Sequence, residues 1–422
     1  MKNKMLKTAI AMATSLASVS VFASGFAINE QSISGMGTGF AGRASAADDA
    51  STVFGNPAGM ARLKREQMTG GVTVLNASTD ISNVSSSPNG GSNDGDMVPL
   101  TGVPMGYYVK PINDKWTVGV GMYAPFGLVA DYESGFAGRY FGSKSAVEVM
   151  TLQPTVSYAF NERISIGFGP TINRIAGELE SSLSLNPMAP DGEVKVKGDD
   201  IALGFNVGVL AQLTDSTRVG LTYHSQVDYK LEGETEVDYG LLAMLGYSTH
   251  QQYDAALELT TPESVDFSVT HELNAQWTLH AGSTWTRWSR LQTIRVENSG
   301  VPGGLTGQFG EITEQQNWHD TWAHAIGASY KLNEQWVLRG GLTVDQAPTN
   351  NIDRSPRIPT GDRTIFSMGA GWTPTPDLTI DAAYSYLQEE AVKVNNSAHG
   401  QRYSAEFENS ANGFAIGATY RF

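Results

Sequence analysis

A chain of 422 residues with 43 acidic against 28 basic side chains has a formal charge of -15, which excludes a polyanion such as nucleic acid as partner. The absence of cysteine rules out disulfides, thiolate metal centres, cysteine catalysis and an N-terminal lipid anchor. Mean hydropathy is -0.22, and beyond the first residues no apolar run approaches the ~18 needed for a helical span. The 46 glycines, 8 tryptophans, 16 tyrosines and 16 phenylalanines instead suit a β-barrel with a small-residue interior and aromatic girdles.

In chain order, Lys2, Lys4 and Lys7 precede an apolar run from Thr8 to Val19, and Val21 and Ala23 supply small residues for cleavage. This pattern predicts a secretory signal over 1–23 and a mature chain starting at Ser24. Losing three lysines and no acids takes the charge from -15 to -18. Residues 24–65 lack the strand pattern that follows and are expected to form a compact hatch inside a barrel spanning 66–422. Gly37, Gly39 and Gly42 match G-x-G-x-x-G, but a dinucleotide site needs a βαβ unit around that motif. Close backbone packing is the reading adopted.

From there on apolar residues alternate with small or polar ones. Met150, Leu152, Val156, Tyr158 and Phe160 form one such face; others are Ile201 to Leu213, Phe366 to Trp372 and Leu378 to Tyr386, by alternate residues. The last run sets Phe414, Ile416, Tyr420 and Phe422 against Gly413, Ala415, Gly417 and Thr419. Six short polar turns, at 113–115, 161–163, 214–216, 273–276, 332–335 and 373–377, separate pairs of runs. Six turns joining seven hairpins predict an all-β membrane protein, a 14-stranded antiparallel transmembrane barrel with short periplasmic turns and long outer loops. The loops are expected near 81–96, 127–145, 178–198, 232–254, 293–315, 347–361 and 391–409. Trp116, Ile164, Trp277 and Trp336 directly follow turns and should mark the periplasmic interface.

The stretches Gly25-Phe26-Ala27-Ile28-Asn29-Glu30, Ser34-Gly35-Met36-Gly37, Ala47-Asp48-Asp49-Ala50 and Asn56-Pro57-Ala58 resemble the amino terminus of the long-chain fatty acid transporter (FadL) family. Pro111-Ile112-Asn113-Asp114, Gly204-Phe205-Asn206-Val207-Gly208, Leu221-Thr222-Tyr223 and the carboxyl terminus extend the likeness over the mature chain. The resemblance implies a monomeric 14-stranded barrel plugged by a hatch, with Asn56, Pro57 and Ala58 as the hatch motif. It also implies capture of substrate by the third and fourth outer loops. Those loops are unusually apolar: Leu179, Leu183, Leu185 and Met188 lie in one, and Leu241, Leu242, Met244 and Leu245 in the other.

By the same resemblance Arg174 is a headgroup contact. Its parity with Ile164, Ile166, Phe168 and Ile172, however, points it at lipid unless a bulge intervenes. Arg363, of lumenal parity, is the second candidate. A kinked third strand is further implied as a lateral opening, and Trp116, Gly119 and Gly121 are the residues expected there. No Gly-x-Ser-x-Gly elbow occurs, and none of the seven histidines lies in a catalytic signature. Neither an enzyme, a cofactor nor a metal site is expected. The expected function is passive outer-membrane uptake of long-chain fatty acids or similar hydrophobic molecules. Alternatives are an aromatic or alkane hydrocarbon channel of the same fold and a general diffusion porin. Outer-membrane lipid and lipopolysaccharide are the expected surroundings.

Overall fold

The computed structural model describes residues 25–87, 90–184, 191–239 and 250–422. The signal segment therefore lies outside the described residues, as do Leu185, Met188, Leu241, Leu242, Met244 and Leu245. The strands are β1 (Gln67–Ser87), β2 (Thr101–Pro111), β3 (Trp116–Asp131), β4 (Lys144–Ala159), β5 (Ile164–Leu183), β6 (Gly192–Gln212) and β7 (Thr217–His224). They continue as β8 (Val227–Asp238), β9 (His250–Thr261), β10 (Ser264–Glu272), β11 (Trp277–Thr286), β12 (Thr293–Ser299) and β13 (Glu311–Gln315). The last are β14 (Thr321–Lys331), β15 (Trp336–Asp345), β16 (Arg363–Thr375), β17 (Leu378–Glu389), β18 (Val392–Ala398) and β19 (Gln401–Arg421).

Fourteen of these form the closed wall, in the order β1–β7, β10, β11, β14–β17 and β19, with β19 pairing back onto β1. Closure joins the two terminal strands of the sheet, as a hydrocarbon environment demands. The six turns at one end are where the sequence places them, and four share one device. Asn113, Asn161, Asn274 and Asn333 each accept two backbone N–H bonds through the side-chain oxygen, at 2.8–2.9 Å. An asparagine that closes the turn on itself fixes the register of the hairpin above it. Trp116 against Tyr158, Trp277 against Tyr330 and Trp336 against Trp372 then make the aromatic ring beside those turns.

Parity behaves as expected on the membrane face. Ile164, Ile166, Phe168 and Ile172 are exposed while Ser165, Gly167, Gly169, Thr171 and Asn173 are buried. The outer loops differ from expectation, because much of 178–198, 232–254 and 391–409 is strand. β5 and β6 stay paired to Leu183↔Gly192, β8 pairs β9 along its length, and β18 pairs β19. β8 continues β7 past a break at Ser225-Gln226, and β9 runs into β10 past Pro262-Glu263. Their outward faces are charged (Lys195, Lys197, Glu232, Glu234), since they stand in water above the membrane.

Residues 25–66 pack against the inward face of the wall. They contain α1 (Ile33–Gly37), α2 (Thr52–Gly55) and a 3-10 turn at Pro57–Arg62. Their irregular backbone leaves many carbonyls without helical or ladder partners, and wall side chains supply the donors. Thr343 donates to Gly39 O at 2.7 Å, Thr222 to Gly55 O at 2.8 Å, Asn206 to Phe54 O at 2.9 Å, and Gln153 to Val53 O at 2.8 Å. Approach this close needs side-chain-free wall positions. A Cβ added at Gly220, Gly282 or Gly327 would overlap the carbonyl oxygens of Ala44, Ala41 or Thr38. These wall glycines thus sit where strand meets segment.

Candidate ligand path and lateral gap

Above the membrane, the hairpins β5–β6 and β8–β9 turn apolar side chains inward around a cavity. Ile175, Leu179, Val196, Leu231, Leu257 and Val296 line its sides, and Phe26 lies at its floor. The alternation is clear in β8, where Tyr229 and Leu231 are buried while Lys230 and Glu232 are exposed. Gly177 pairs with Gly198 in this wall, so two opposed positions add no bulk to the space. Polar groups touch only its margin. Among them Arg357 is engaged by Glu314 at 3.0 Å and by Ser145 at 2.9 Å. Leu183 belongs to a second apolar cluster with Val237, Tyr239, Tyr253 and Phe309. Of the expected capture residues that are described, Leu179 is at the cavity and Leu183 is in this second cluster.

The two candidate arginines lie elsewhere. Between β4 and β5 the register runs without a shift, so no bulge reverses Arg174. It stays on the outward parity, 3.6 Å from Asp199. Arg363 does point inward, but it is 1 % exposed and sits 3.5 Å from Asp345 and 3.9 Å from Glu389. Neither lines the apolar cavity.

Phe26, at the cavity floor, belongs to a cluster of four aromatic rings. Phe26 lies 4.9 Å from Trp288, 5.7 Å from Phe126 and 6.0 Å from Trp318, with the two tryptophans 5.1 Å apart. Gly25 makes this possible: its φ of +62° disfavours a side chain, and a Cβ would come within 2.6 Å of Trp318.

Beside the floor, the wall is interrupted. β2 pairs β3 only from Pro111↔Thr117 up to Gly106↔Met122, leaving Thr101–Met105 without a β3 partner. On the other side, β3 slips by one residue against β4 between Tyr123 and Phe126. The slip is a bulge at Ala124-Pro125 that turns β3 away from β2, and a proline is tolerated at such a site. Gly119 and Gly121 lie in the regular part instead, paired with Val109 and Tyr107. A Cβ there would come within 2.7 Å of Met60 Sδ and 3.1 Å of Val53 Cγ1, so these glycines admit the packed segment. Trp116, at the turn end of the strand, is a girdle residue. The one irregularity in the β3–β4 register lies at Ala124-Pro125, nearer the outer end of the strand than Gly119 and Gly121.

The leading segment takes the place of the missing ladder. Ile28 N–H donates to Pro125 O at 2.9 Å, Gly127 N–H to Phe26 O at 2.8 Å, and Gln31 Nε2 to Ala124 O at 2.5 Å. Ile28 packs with Leu75, Val103 and Ala124 across the gap. Burial holds the Glu30 carboxyl above the usual carboxylate range, against the opposing pull of Arg363 and Arg43.

Below the aromatic floor lies a more polar cavity that Arg43, His224 and Asp266 help to line. Sequence reasoning missed it, since its partners are 223 residues apart. Asn56 anchors the segment from below: Nδ2 donates to Ala44 O at 2.7 Å and to Val209 O at 3.0 Å, while Oδ1 accepts from Ala58 N–H. Pro57 and Ala58 press on Gly167, and Ser165 donates to Ala58 O at 2.9 Å. Among the described residues no group of histidines and carboxylates could hold a metal ion. His280 touches Thr270 and Ser329 but no carboxylate by hydrogen bond.

A family model described as "Outer membrane protein transport protein (OMPP1/FadL/TodX)" matches residues 14–422. The long-chain fatty acid transport protein of Escherichia coli O6:H1 is 28% identical, over 100% of this chain and 99% of that protein. Outer membrane protein P1 of Haemophilus influenzae is 31% identical, over 92% of this chain and 91% of its own length. Among solved structures, a Pseudomonas aeruginosa FadL homologue superposes with a TM-score of 0.83 at 26% identity, covering 94% of this chain and 100% of that one. The CymD monoaromatic hydrocarbon channel shares the fold, with a TM-score of 0.69 at 17% identity over 94% of this chain and 98% of that one.

Proposed function

The chain belongs to the outer membrane protein transport family (OMPP1/FadL/TodX), and from that premise we propose that it passes long-chain fatty acids, or hydrophobic molecules of similar shape, through the outer membrane without an energy source. One observation carries the reading. The same short stretch, Phe26 to Gln31, supplies the floor of the apolar cavity and the hydrogen bonds that fill the β2–β3 gap. Displacing it opens the cavity downward and sideways in one movement.

In this scheme the outer hairpins take up the acyl chain, each methylene gaining about 0.8 kcal/mol on leaving water. The chain then follows Phe26 aside and leaves between β2 and β3 into the membrane. Residues 24–65 act as the hatch, with Asn56, Pro57 and Ala58 as its fixed end. Loss of growth on oleate after deletion of the gene is the expected result; unchanged growth in a strain with no second copy counts against the proposal.

A neutral hydrocarbon is the second reading, favoured by the scarcity of free polar groups in the cavity wall. Titrating the purified protein with oleate and with toluene separates the two. A diffusion porin is opposed by the backbone packed across the lumen, and liposome swelling in small sugars tests it.

A further inference from the structure

We propose that Arg43 recognises a carboxylate on the substrate and couples its arrival to release of the strap formed by residues 26–31. The inference rests on the fatty-acid reading above and adds to it the group that tells an acid from a neutral hydrocarbon.

Arg43 lines the polar cavity directly beneath the aromatic floor, together with Ala27, Asn29, Pro125, Phe126 and Asp266. Its two terminal nitrogens are held unequally. Nη1 is 3.3 Å from Asp266 Oδ1, a carboxylate that also accepts from Thr284 Oγ1 at 2.6 Å and lies 3.5 Å from His224 Nε2. This end is pinned to the barrel wall. Nη2 donates to Asn29 Oδ1 at 2.7 Å, an uncharged amide oxygen on the strap itself. Below, the guanidinium lies over the rings of Phe40 and Phe54, at 5.3 Å and 6.0 Å. Those rings fix its plane without using its donors.

Asn29 offers the guanidinium a neutral oxygen, whereas a carboxylate adds an opposite charge and can accept two parallel N–H bonds. A fatty acid whose headgroup passes the floor therefore meets a donor held by a weaker acceptor, and takes it. Asn29 is then untied. Its neighbour Ile28 is the residue whose N–H bonds Pro125 O in the bulged strand, so the lost tie lies one residue from the contact closing the lateral gap. Arg43 keeps Asp266 throughout, and its position does not depend on the strap. A hydrocarbon or an alcohol offers no anion and leaves Asn29 in place. Arg43 also borders two further cavities, one within the segment and one between segment and wall, which gives its side chain and the incoming headgroup room.

The test uses the full-length protein in detergent with two ligands of one chain length, oleate and oleyl alcohol, against wild type, Arg43→Gln and Asn29→Ala. Wild type should prefer oleate, and oleate but not oleyl alcohol should speed hydrogen exchange at the amides of residues 26–31. Arg43→Gln should weaken oleate binding about tenfold to a hundredfold, the worth of a charge-assisted hydrogen bond, and leave oleyl alcohol unchanged. Asn29→Ala should keep the preference for oleate yet show fast strap exchange with no ligand present. Arg43→Lys, which keeps the charge, should recover part of the preference and decides the matter if the glutamine variant does not fold. Equal binding of both ligands by wild type overturns the inference while leaving hydrophobic transport standing; binding of neither removes the transport reading as well. An Arg43→Gln protein that loses both ligands equally, or neither, also overturns it.

Discussion

Replacing Phe26 by alanine tests the floor of the cavity. The ring is 3 % exposed and contacts three other aromatic rings. Removing a buried phenylalanine side chain costs about 3–5 kcal/mol where its surroundings cannot collapse. Here the cost falls on the closed arrangement, because a displaced strap has already given up those contacts. Taking about 3 kcal/mol as the difference, the ratio of open to closed rises by about two powers of ten. The barrel itself has no reason to weaken, since its ladder does not include Phe26. In planar bilayers, a wild-type protein that is almost always shut should become one with frequent openings. Proteoliposomes should admit a neutral hydrophobic dye faster, with the folded barrel's gel mobility before heating unchanged. Phe26→Leu, which keeps most of the volume, should fall between. If Phe26→Ala conducts and transports as wild type does, the four-ring floor is not a barrier and the argument from its packing is wrong.

Further expectations concern the segment and its seat. Gly220→Val places a side chain against Ala44 O; overpacking of this kind costs about 1–3 kcal/mol and should raise resting conductance through an intact barrel. Glu30→Gln bears on pH. A carboxyl raised by burial binds its proton more tightly in the folded segment than in the free one. It therefore favours closure below its ordinary range, and that contribution is lost as pH rises through the interval up to its folded value. Wild type should show resting conductance that grows across that interval, whereas Glu30→Gln should stay closed and flat with pH. Leu231→Asp, which puts a charge into the cavity wall, should lower oleate affinity by at least tenfold while strap exchange stays unchanged.

The fold was legible wherever one physical rule acted alone. Ile164, Ile166 and Phe168 face lipid because strand parity and hydrocarbon leave no other choice, and Asn113, Asn161, Asn274 and Asn333 mark their turns by a local hydrogen bond. Above the membrane that rule lapses. Lys195, Lys197, Glu232 and Glu234 sit on strands whose outer face meets water, so 178–198 and 232–254 read as loops although much of each is a hairpin. Gly119 and Gly121 suggest a kink by their spacing, yet they make room for Met60 and Val53 of the leading segment. The signal was Pro125, which cannot donate to a ladder and so belongs at an edge or a bulge. Arg174 shows the opposite lesson: parity alone had already placed it outside, and the unbroken β4–β5 register keeps it there. Arg43 carried no local signal, because Asp266 reaches it only through closure of the barrel.

If substrate leaves sideways through the β2–β3 gap, closing that gap must stop uptake without touching capture. Deleting Pro125 removes the extra residue of the bulge and lets β3 resume its ladder with β2, closing the wall while the outer hairpins keep their cavity. Oleate uptake by cells carrying this variant is the decisive measurement, read beside oleate binding by the purified protein. Binding retained with uptake abolished is the predicted result; uptake at the wild-type rate through the healed wall would contradict it.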